Sequence, residues 1–391
     1  MLAACLPLVS SASSLAIGTT IAVRMDTKVT SGAEAGDKVE AVVVAPVLIG
    51  DRVFLPQGAR VAGTVKSATP AKPDARADLL LEFTELTLPG GSKMPLSAKI
   101  SGLDNARESV TGDGLIQGIL GTETLTSRMD QGLEKLGAKY ARFADLLGAV
   151  KGAVLQKADT EITLEQGAEL ELTLTAALDL AEVSPIEKVT PIEPAAELAA
   201  LVDAIPFQTT AEKPAKPSDV TNLMYIGTRE QIEAAFQAAG WATAAQLDAV
   251  SGLETMRAVA EQRGYKEAPM STLLLEGRPP VMVYQKQYNT FAKRHHLRIF
   301  QRPEKFQGRE VWVCAATHDT GIDFSPENRT FIHKIDSQID RERAKVVFDL
   351  MYADKVKAVA LVERPKVPTA SENATGDKIE TDSRMAVLLL R

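Results

Sequence analysis

Alternating hydrophobic and polar residues fill much of the first half of the chain. The alternating runs cover residues 18–29, 39–47, 53–65, 79–88 and 94–100, and turns that contain glycine and proline separate them. A period of two is typical of strands that bury one face. Short strands at this spacing predict an all-β barrel or sandwich over about residues 18–180.

A short repeat in this region indicates how the sheet closes. The sequence L-P-Q-G-A at Leu55 to Ala59 returns as L-E-Q-G-A at Leu164 to Ala168, and each copy leads into alternating residues. The second copy therefore predicts a strand pair that closes the sheet after an excursion of the chain.

That excursion has a helical period. Between residues 125 and 150, hydrophobic residues recur at spacings of three and four, which predicts a helix with one apolar face. The face consists of Leu125, Met129, Leu133, Leu136, Tyr140, Phe143, Leu147 and Val150. Such a helix either packs over the barrel end or binds a partner protein or a membrane surface.

The second half of the chain mixes both periods. Thr228 precedes a helical stretch as an N-cap, with Gln231 three residues later, and Gly240 is placed to end it. Further helices are predicted at residues 253–263 and 337–351, and strands at 272–275, 281–287, 294–300, 310–317, 356–362 and 385–390. This order predicts an α+β domain with a mostly antiparallel sheet over residues 222–391.

Composition separates the two halves. Of 19 aromatic residues, 5 lie in residues 1–221 and 14 in residues 222–391, which indicates two different cores. Residues 181–221 hold six of the 20 prolines, and this predicts an extended linker. A length of 391 residues fits two or three domains.

Bulk composition also excludes several protein classes. With 45% hydrophobic and 24% charged residues and a net charge of −7, the chain is neither wholly disordered nor a polytopic membrane protein. It has no uninterrupted apolar run of about 18 residues. The two cysteines, Cys5 and Cys314, cannot form a disulfide framework.

The N-terminus predicts export. Residues 2–9 are apolar, and residues 10–16 are mostly small and contain S-S-A and S-L-A, either of which fits a signal cleavage rule. The first positive charge is Arg24, so we interpret residues 1–17 as a truncated signal segment. Two alternatives remain open: a lipoprotein box, L-A-A-C, that would acylate Cys5, and an ordinary first strand. We expect an extracytoplasmic protein, in the periplasm or cell envelope.

All four histidines lie within 39 residues of the second domain: His295, His296, His318 and His333. Because neighbours on a strand point to opposite faces, we expect His295 to face a core or pocket and His296 to lie on a cationic face. General acid–base catalysis by His295, His318 or His333 with Asp319 is one interpretation of this cluster.

Basic side chains surround the first two histidines. Residues 278–309 hold eight arginines and lysines against the single acidic residue Glu304. Arg294 and Arg298, four residues apart, suit a phosphate or carboxylate, and with His296 they form a predicted anionic-ligand site. A solvated strand face is the alternative. We expect no nucleic-acid partner, because the domain carries little net charge.

A metal site stays open at this stage, as does any cofactor. His318, Asp319, Asp323, His333 and Asp336 supply imidazole and carboxylate groups, but their spacing determines no coordination geometry. Asp336 is better explained as the N-cap of a helix that starts at Ser337. Cys314 lies in the apolar stretch W-V-C-A-A, where a packed thiol is the usual case.

The first domain carries motifs of a known family. They are G-T-T-I-A-V-R-M-D-T from Gly18, G-D-R-V-F-L-P-Q-G-A-R-V-A-G-T-V from Gly50 and F-T-E-L-T-L-P-G-G from Phe83. Residues 18–178 thereby resemble the C-terminal β-barrel of the TrbI-like scaffold subunit of type IV secretion channels. The resemblance implies a barrel with a helical insertion that assembles with other envelope proteins.

The second domain carries another set of motifs. They are T-N-L-M-Y-I-G-T-R-E from Thr221, R-H-H-L-R-I-F from Arg294, V-W-V-C-A-A-T-H-D-T-G-I from Val311 and H-K-I-D-S-Q-I-D-R-E-R from His333. Residues 220–391 thereby resemble the LssY C-terminal domain, which in that family can be appended to membrane phosphatases. The resemblance places these residues on family motifs: Arg294, His295, His296, Arg298, His318, Asp319, His333, Asp336 and Asp340.

Two functions follow from the sequence. The first is a non-catalytic binding and assembly module, whose barrel or helix docks onto an envelope protein while the second domain binds an anionic lipid or glycan. The second is a hydrolase, with or without a metal ion, that acts on a phosphorylated or lipid substrate. We favour the first because the chain has no known catalytic signature.

Overall fold

The computed structural model describes residues 13–49, 52–104, 108–120, 160–180, 191–212, 215–243, 272–286, 294–325 and 330–391. Strands dominate this part of the chain and form a β-barrel followed by an α+β domain. The fold class predicted from the sequence is confirmed. None of the helices described has the length and apolar composition that a membrane crossing requires.

The first domain consists of short and long strands. They are β1 (Ser13–Leu15), β2 (Thr20–Met25), β3 (Val29–Thr30), β4 (Lys38–Val43), β5 (Val47–Ile49), β6 (Arg52–Leu55), β7 (Arg60–Thr69), β8 (Asp78–Thr87), β9 (Lys93–Leu103), β10 (Ser109–Val110), β11 (Ile116–Gln117), β12 (Thr163–Leu164), β13 (Glu169–Leu174) and β14 (Leu178–Leu180).

Six of these strands close into a barrel. The antiparallel pairs run from β2 to β4, β7, β8, β9, β13 and back to β2. Alternate residues fill the interior, and Ile21, Val61, Leu79, Phe83 and Leu172 are almost completely buried there. Closure leaves no free edge among these six strands.

The two copies of the short repeat occupy equivalent positions. Each forms a tight turn whose glycine has a positive φ, +86° at Gly58 and +99° at Gly167. Each glycine N–H donates to a neighbouring strand, Gly58 to Val43 O and Gly167 to Met25 O. The second turn leads into β13, which joins β2 to β9, so the predicted closing strand is confirmed.

The second domain contains thirteen strands and three helices in the described residues. The strands are β15 (Gln208–Ala211), β16 (Lys216–Val220), β17 (Leu223–Ile226), β18 (Trp241–Thr243), β19 (Leu273–Leu274), β20 (Met282–Lys286), β21 (Arg294–Phe306), β22 (Arg309–Ser325), β23 (Thr330–Ile335), β24 (Val356–Glu363), β25 (Ala370–Glu372), β26 (Lys378–Glu380) and β27 (Arg384–Leu390). The helices are α1 (Ala195–Asp203), α2 (Arg229–Ala238) and α3 (Ile339–Tyr352).

Its main sheet has the order β18-β20-β21-β22-β17-β27-β24, and β23 pairs with β22. β17 and β27 are parallel, and the other described pairs in this sheet are antiparallel, as predicted. Helices α2 and α3 pack on one face of the sheet, where Phe236 and Leu350 contact the core around Trp312. Helix α1 packs on the other face through Leu198 and Val202.

Helix α2 begins and ends at the residues that the sequence predicts. Thr228 Oγ1 accepts from the Gln231 N–H, and the Gln231 side chain accepts from the Thr228 N–H, which completes a capping box. Gly240, with φ +76°, follows the helix.

The stretch expected to be an extended linker differs in the structure. Residues 195–220 form α1, β15 and β16, and Leu198, Val202 and Ile205 join the core of the second domain. Two of the prolines are compatible with these elements: Pro194 precedes α1, and Pro217 lies on the edge strand β16.

The start of the described chain also differs from the expected signal segment. Strand β1 pairs with β14, and Leu15 is buried in the barrel core. Residues 1–12 of that segment, the predicted helix of the excursion at residues 125–150 and the predicted helix at residues 253–263 lie outside the described residues.

We expect Gly63→Ala to destabilise the barrel by about 2 kcal/mol, as an overpacked site does. A Cβ at position 63 would lie 2.0 Å from the Glu82 carbonyl oxygen and 2.7 Å from Phe83 Cα, at a bulge between β7 and β8. Chemical denaturation measures the change. Gly32→Ala, whose Cβ would meet only Thr30 Oγ1 at 3.6 Å, is the control. Equal stability of both variants would contradict this account of the bulge.

Candidate functional site

Two histidines lie side by side on the main sheet of the second domain. Strands β21 and β22 place His295 directly opposite His318, and the two rings stack with centroids 4.1 Å apart and planes 15° from parallel. Leu297 and Ile299 share the face of His295 and belong to the core beneath α2 and α3. The predicted orientation of His295 towards a core or pocket is confirmed.

Two carboxylates from different domains hold His295. Its Nδ1 donates to Glu342 Oε2 of α3 at 2.7 Å. Its Nε2 lies 2.9 Å from Oδ2 of Asp104, which directly follows the barrel strand β9. The other oxygen of Asp104 lies 3.8 Å from His318 Nε2. The barrel therefore completes the surroundings of both imidazoles.

This arrangement shifts the pKa values of the two histidines in opposite directions. Burial alone would lower the pKa of His295, but the charges of Asp104 and Glu342 raise it to about 10. Burial and the positive charge of His295 lower the pKa of His318. At neutral pH, His295 is therefore protonated and His318 is neutral.

A buried ionic network continues from this pair along the domain boundary. Arg24 of the barrel contacts Glu169 at 2.7 Å and Asp349 of α3 at 2.9 Å. Lys286 of the second domain contacts Asp349 at 2.7 Å, and Lys345 contacts Glu169. Each carboxylate is thus shared by cations from both domains.

Burial raises the energy of these charges, and the neighbouring charges compensate. Burial works against ionisation of Asp349, but the charges of Lys345, Lys286 and Arg24 hold its pKa well below the usual range. Burial also works against the charge of Lys345, yet Glu169 and Asp349 raise its pKa. Asp349 and Lys345 are therefore both charged at neutral pH.

A cavity of about 530 Å³ opens beside the histidine pair, between the two domains. Barrel residues line one wall, including Val44, Leu103 and Asp104, and α3 lines another with Glu342 and Phe348. His295 and His318 lie at one side of this cavity. We call it the interdomain cavity.

Three side chains at the cavity have a donor set that suits a metal ion. One ligand atom each of Asp104, His295 and His318 lies within 4.8 Å of the others. Two imidazole nitrogens and one carboxylate oxygen are typical ligands of zinc and related transition metals.

The sequence alone placed the ligand-binding residues elsewhere. His296 and Arg298 do share a face, but it is the opposite face from His295, and both side chains are buried. His296 Nε2 lies 2.9 Å from Asp319 Oδ1, and Arg298 donates to Asp219 at 3.0 Å. The face that was expected to be open and cationic is therefore buried, and His296 and Arg298 each contact a carboxylate there.

The other predicted site residues lie in several places. Asp319 contacts His296 on the opposite face of the sheet, and Asp336 lines the interdomain cavity. His333 lies in β23 opposite Ile322, four residues beyond His318 along β22. The side chains of Arg294, His333 and Asp323 lie outside the described residues, so their roles stay predictions.

The second domain is similar to a known protein family. Residues 202–385 match the family model described as LssY C-terminus. The second domain is an LssY-like C-terminal domain. No curated protein matches the chain. A solved structure of ComB10 of the Com type IV secretion system of Helicobacter pylori is similar at 13% identity, over 42% of this chain and 88% of that chain, with a TM-score of 0.24.

Two features of the LssY-like domain agree with or refine the sequence predictions. Cys314 is fully buried, and burial raises the pKa of its thiol, so the predicted packed cysteine is confirmed. Asp336 is not the N-cap, because α3 begins at Ile339 with Gln338 before it. The Asp336 side chain instead accepts from the Gln338 N–H, and the Asp336 N–H donates to His318 O.

Sequence reasoning missed the carboxylates and lysine that surround the histidines. A signal for part of this set existed in α3, where Glu342 and Asp349 lie on the buried side of the helix with Val346 and Leu350. Charged residues on a buried helix face indicate a polar network. Asp104 has no such signal, because it reaches the LssY-like domain only through the folded barrel.

We expect Asp349→Asn to lower the free energy of unfolding by about 3 kcal/mol, because it leaves buried cations without their carboxylate. Arg24 and Lys286 would lose a charged partner at 2.9 and 2.7 Å. Chemical denaturation tests this. The control is Glu165→Gln in the exposed pair with Lys28, which we expect to have no measurable effect. An Asp349→Asn protein as stable as the control would contradict the network.

We expect alkaline pH to weaken the fold through His295. Because its folded pKa of about 10 exceeds its unfolded value, the stabilisation is complete below about pH 6.5 and is lost as the pH rises through 10. The free energy of unfolding should fall by about 1.4 kcal/mol per pH unit in this window. His295→Gln should lack this component of the slope. Equal slopes in both proteins would show that His295 is not protonated in the fold.

Proposed function

We propose that this protein is a non-catalytic binding module in which the barrel and the LssY-like domain together hold a cationic ligand in the interdomain cavity. The observation that carries the proposal is the convergence of polar side chains from both domains on one cavity. Ligand sites commonly occupy such clefts between domains.

The charge of the cavity favours a cation over an anion. Six carboxylates line it, against two permanently basic side chains, Lys345 and Arg341, and the two imidazoles. Arg24, Lys286 and Lys345 offset the pair Glu169 and Asp349. Asp104, Glu171, Asp336 and Glu342 face His295 and Arg341, and Lys345 also lies 3.6 Å from Asp104. The six carboxylates thus outnumber the five cationic side chains around the cavity by one, and this excess favours a cation.

One buried group supports a ligand directly. The Glu342 side chain is 3% exposed, and its Oε1 has no hydrogen-bond partner among the described residues. A buried carboxylate oxygen without a partner is costly. A cation in the cavity that Glu342 lines would relieve this cost.

Binding of an anionic lipid or glycan at Arg294, His296 and Arg298 stays a prediction. Arg298 and His296 each contact a carboxylate, so an incoming anion would compete with Asp219 and Asp319. A cation that enters the interdomain cavity does not have to displace a carboxylate in this way.

The hydrolase stays the second candidate because one observation favours it. His318 Nε2 has no hydrogen-bond partner among the described residues, and its ring stacks on the protonated His295. A neutral imidazole beside a protonated one can serve as base and acid. We favour binding because two carboxylates raise the pKa of His295 to about 10, far from the neutral range that suits a catalytic acid or base.

Export belongs to the proposal as well. The small residues before β1 fit a signal cleavage site, and cleavage after Ala12 would keep β1 in the barrel, whereas cleavage after Ala16 would remove it. An envelope partner for the barrel or its helical excursion remains part of the same proposal.

Thermal unfolding with added ligands tests the binding function. We expect divalent cations or spermidine to raise the melting temperature, because they bind only the folded cavity. Inorganic phosphate should leave it unchanged. Asp104→Asn should reduce the cation effect, and Glu165→Gln, outside the cavity, should preserve it.

Two results would contradict the proposal. Stabilisation by phosphate but by no cation would support the predicted anionic-ligand site instead. Hydrolysis of p-nitrophenyl phosphate that His318→Gln abolishes and His296→Gln preserves would establish the hydrolase.

A further inference from the structure

We infer that the cation is a divalent transition-metal ion, bound by Asp104 from the barrel and by His295 and His318 from the LssY-like domain. This inference rests on the proposed function and names the ligand of that same cavity. It is carried by the geometry of the three side chains.

The spacing of the ligand atoms fits one ion. Asp104 Oδ2 lies 2.9 Å from His295 Nε2, and Asp104 Oδ1 lies 3.8 Å from His318 Nε2. Ligands at the usual zinc–nitrogen and zinc–oxygen distances in a tetrahedral site are about 3.3 Å apart. The two observed distances, one from each oxygen of Asp104, lie on either side of this value. One ligand atom of each of the three residues lies within 4.8 Å of the others, so the three side chains can reach a single ion after they adjust.

The support of His295 matches that of metal-bound histidines. Glu342 accepts from Nδ1 of His295 at 2.7 Å, which leaves Nε2 directed towards Asp104. Histidine ligands usually donate their other ring N–H to a carboxylate or carbonyl in this way, which determines the tautomer and orients the ring. On binding, the metal takes the position of the proton between His295 Nε2 and Asp104, and that proton passes to solvent.

The donor set excludes calcium and magnesium as the preferred ions. Those ions take oxygen ligands, and Ca²⁺ takes six to eight of them. Two nitrogens and one carboxylate instead suit Zn²⁺, Co²⁺, Ni²⁺ or Fe²⁺. Three protein ligands leave at least one coordination position open, which water or a bound molecule in the cavity would fill.

The ion would also join the two domains. Asp104 lies in the barrel, whereas both histidines lie more than 170 residues later in the chain. A metal ion bound by Asp104, His295 and His318 therefore adds coordination bonds between the domains to the ionic network that already connects them.

Cobalt titration of the full chain, purified without a histidine tag and treated with a chelator, tests the inference. We expect one Co²⁺ per chain, with visible absorption bands of a nitrogen- and oxygen-ligated ion that Zn²⁺ displaces. Asp104→Asn and His318→Gln should each weaken binding by at least 100-fold. Glu342→Gln should weaken it about 10- to 100-fold, as loss of a supporting partner does.

Matched controls separate ligands from other histidines and carboxylates. His296→Gln removes an imidazole from the same strand but the opposite face, and Glu165→Gln removes an exposed barrel carboxylate. Both should bind Co²⁺ as the wild type does. Circular dichroism of every variant before titration establishes that it is folded. Asp104, at 26% exposure, is the least buried of the three proposed ligands.

The outcomes distinguish this inference from the proposed function. Stabilisation by Mg²⁺, Ca²⁺ or spermidine without Co²⁺ or Zn²⁺ binding would overturn the metal site and leave the binding module intact. No response to any cation would overturn both. Co²⁺ binding that Asp104→Asn and His318→Gln leave unchanged would place the ion elsewhere and overturn the inference.

Discussion

The structure depends on the compensation of charge that is buried between its two domains. Glu169 of the barrel and Asp349 of the LssY-like domain are both almost inaccessible to water, and each is stabilised by cations from across the boundary. A buried charge without a partner costs several kcal/mol. Each carboxylate can therefore be buried at the domain boundary only when the cation from the other domain is in place. The relative placement of barrel and sheet follows from this pairing.

The same constraint creates the asymmetry of the histidine pair. Asp104 reaches the pair only because the barrel lies against the sheet, and with Glu342 it keeps His295 charged. Burial and the charge of His295 then lower the pKa of its stacked neighbour His318 and keep that ring neutral. Two chemically identical side chains, opposite each other on neighbouring strands, thereby acquire different properties. The cavity beside them is a product of docking and belongs to neither domain alone.

Strand and helix assignments could be predicted because they rest on local patterns. The capping box at Thr228, the repeated turns at Gly58 and Gly167, and the alternation along β21 are all interactions within a few residues or between neighbours in a hairpin. The structure of residues 181–221 could not be predicted in the same way, because six prolines indicate an extended chain and only two apolar positions, Leu198 and Val202, indicate a buried helix. In the fold these apolar side chains pack on a sheet, while Pro194 lies before a helix and Pro217 on an edge strand.

Local sequence patterns indicate a barrel before an α+β domain, an inward-facing His295 and a packed Cys314. The contacts of His295 with His318 and Asp104, the pairing of His296 with Asp319 and the cavity between the domains arise only in the folded protein. The reason is physical: backbone hydrogen bonding and side-chain periodicity act over short separations along the chain. The partners of a buried charge are instead selected in space, and Asp104 and His295 are close only after both domains have folded and docked.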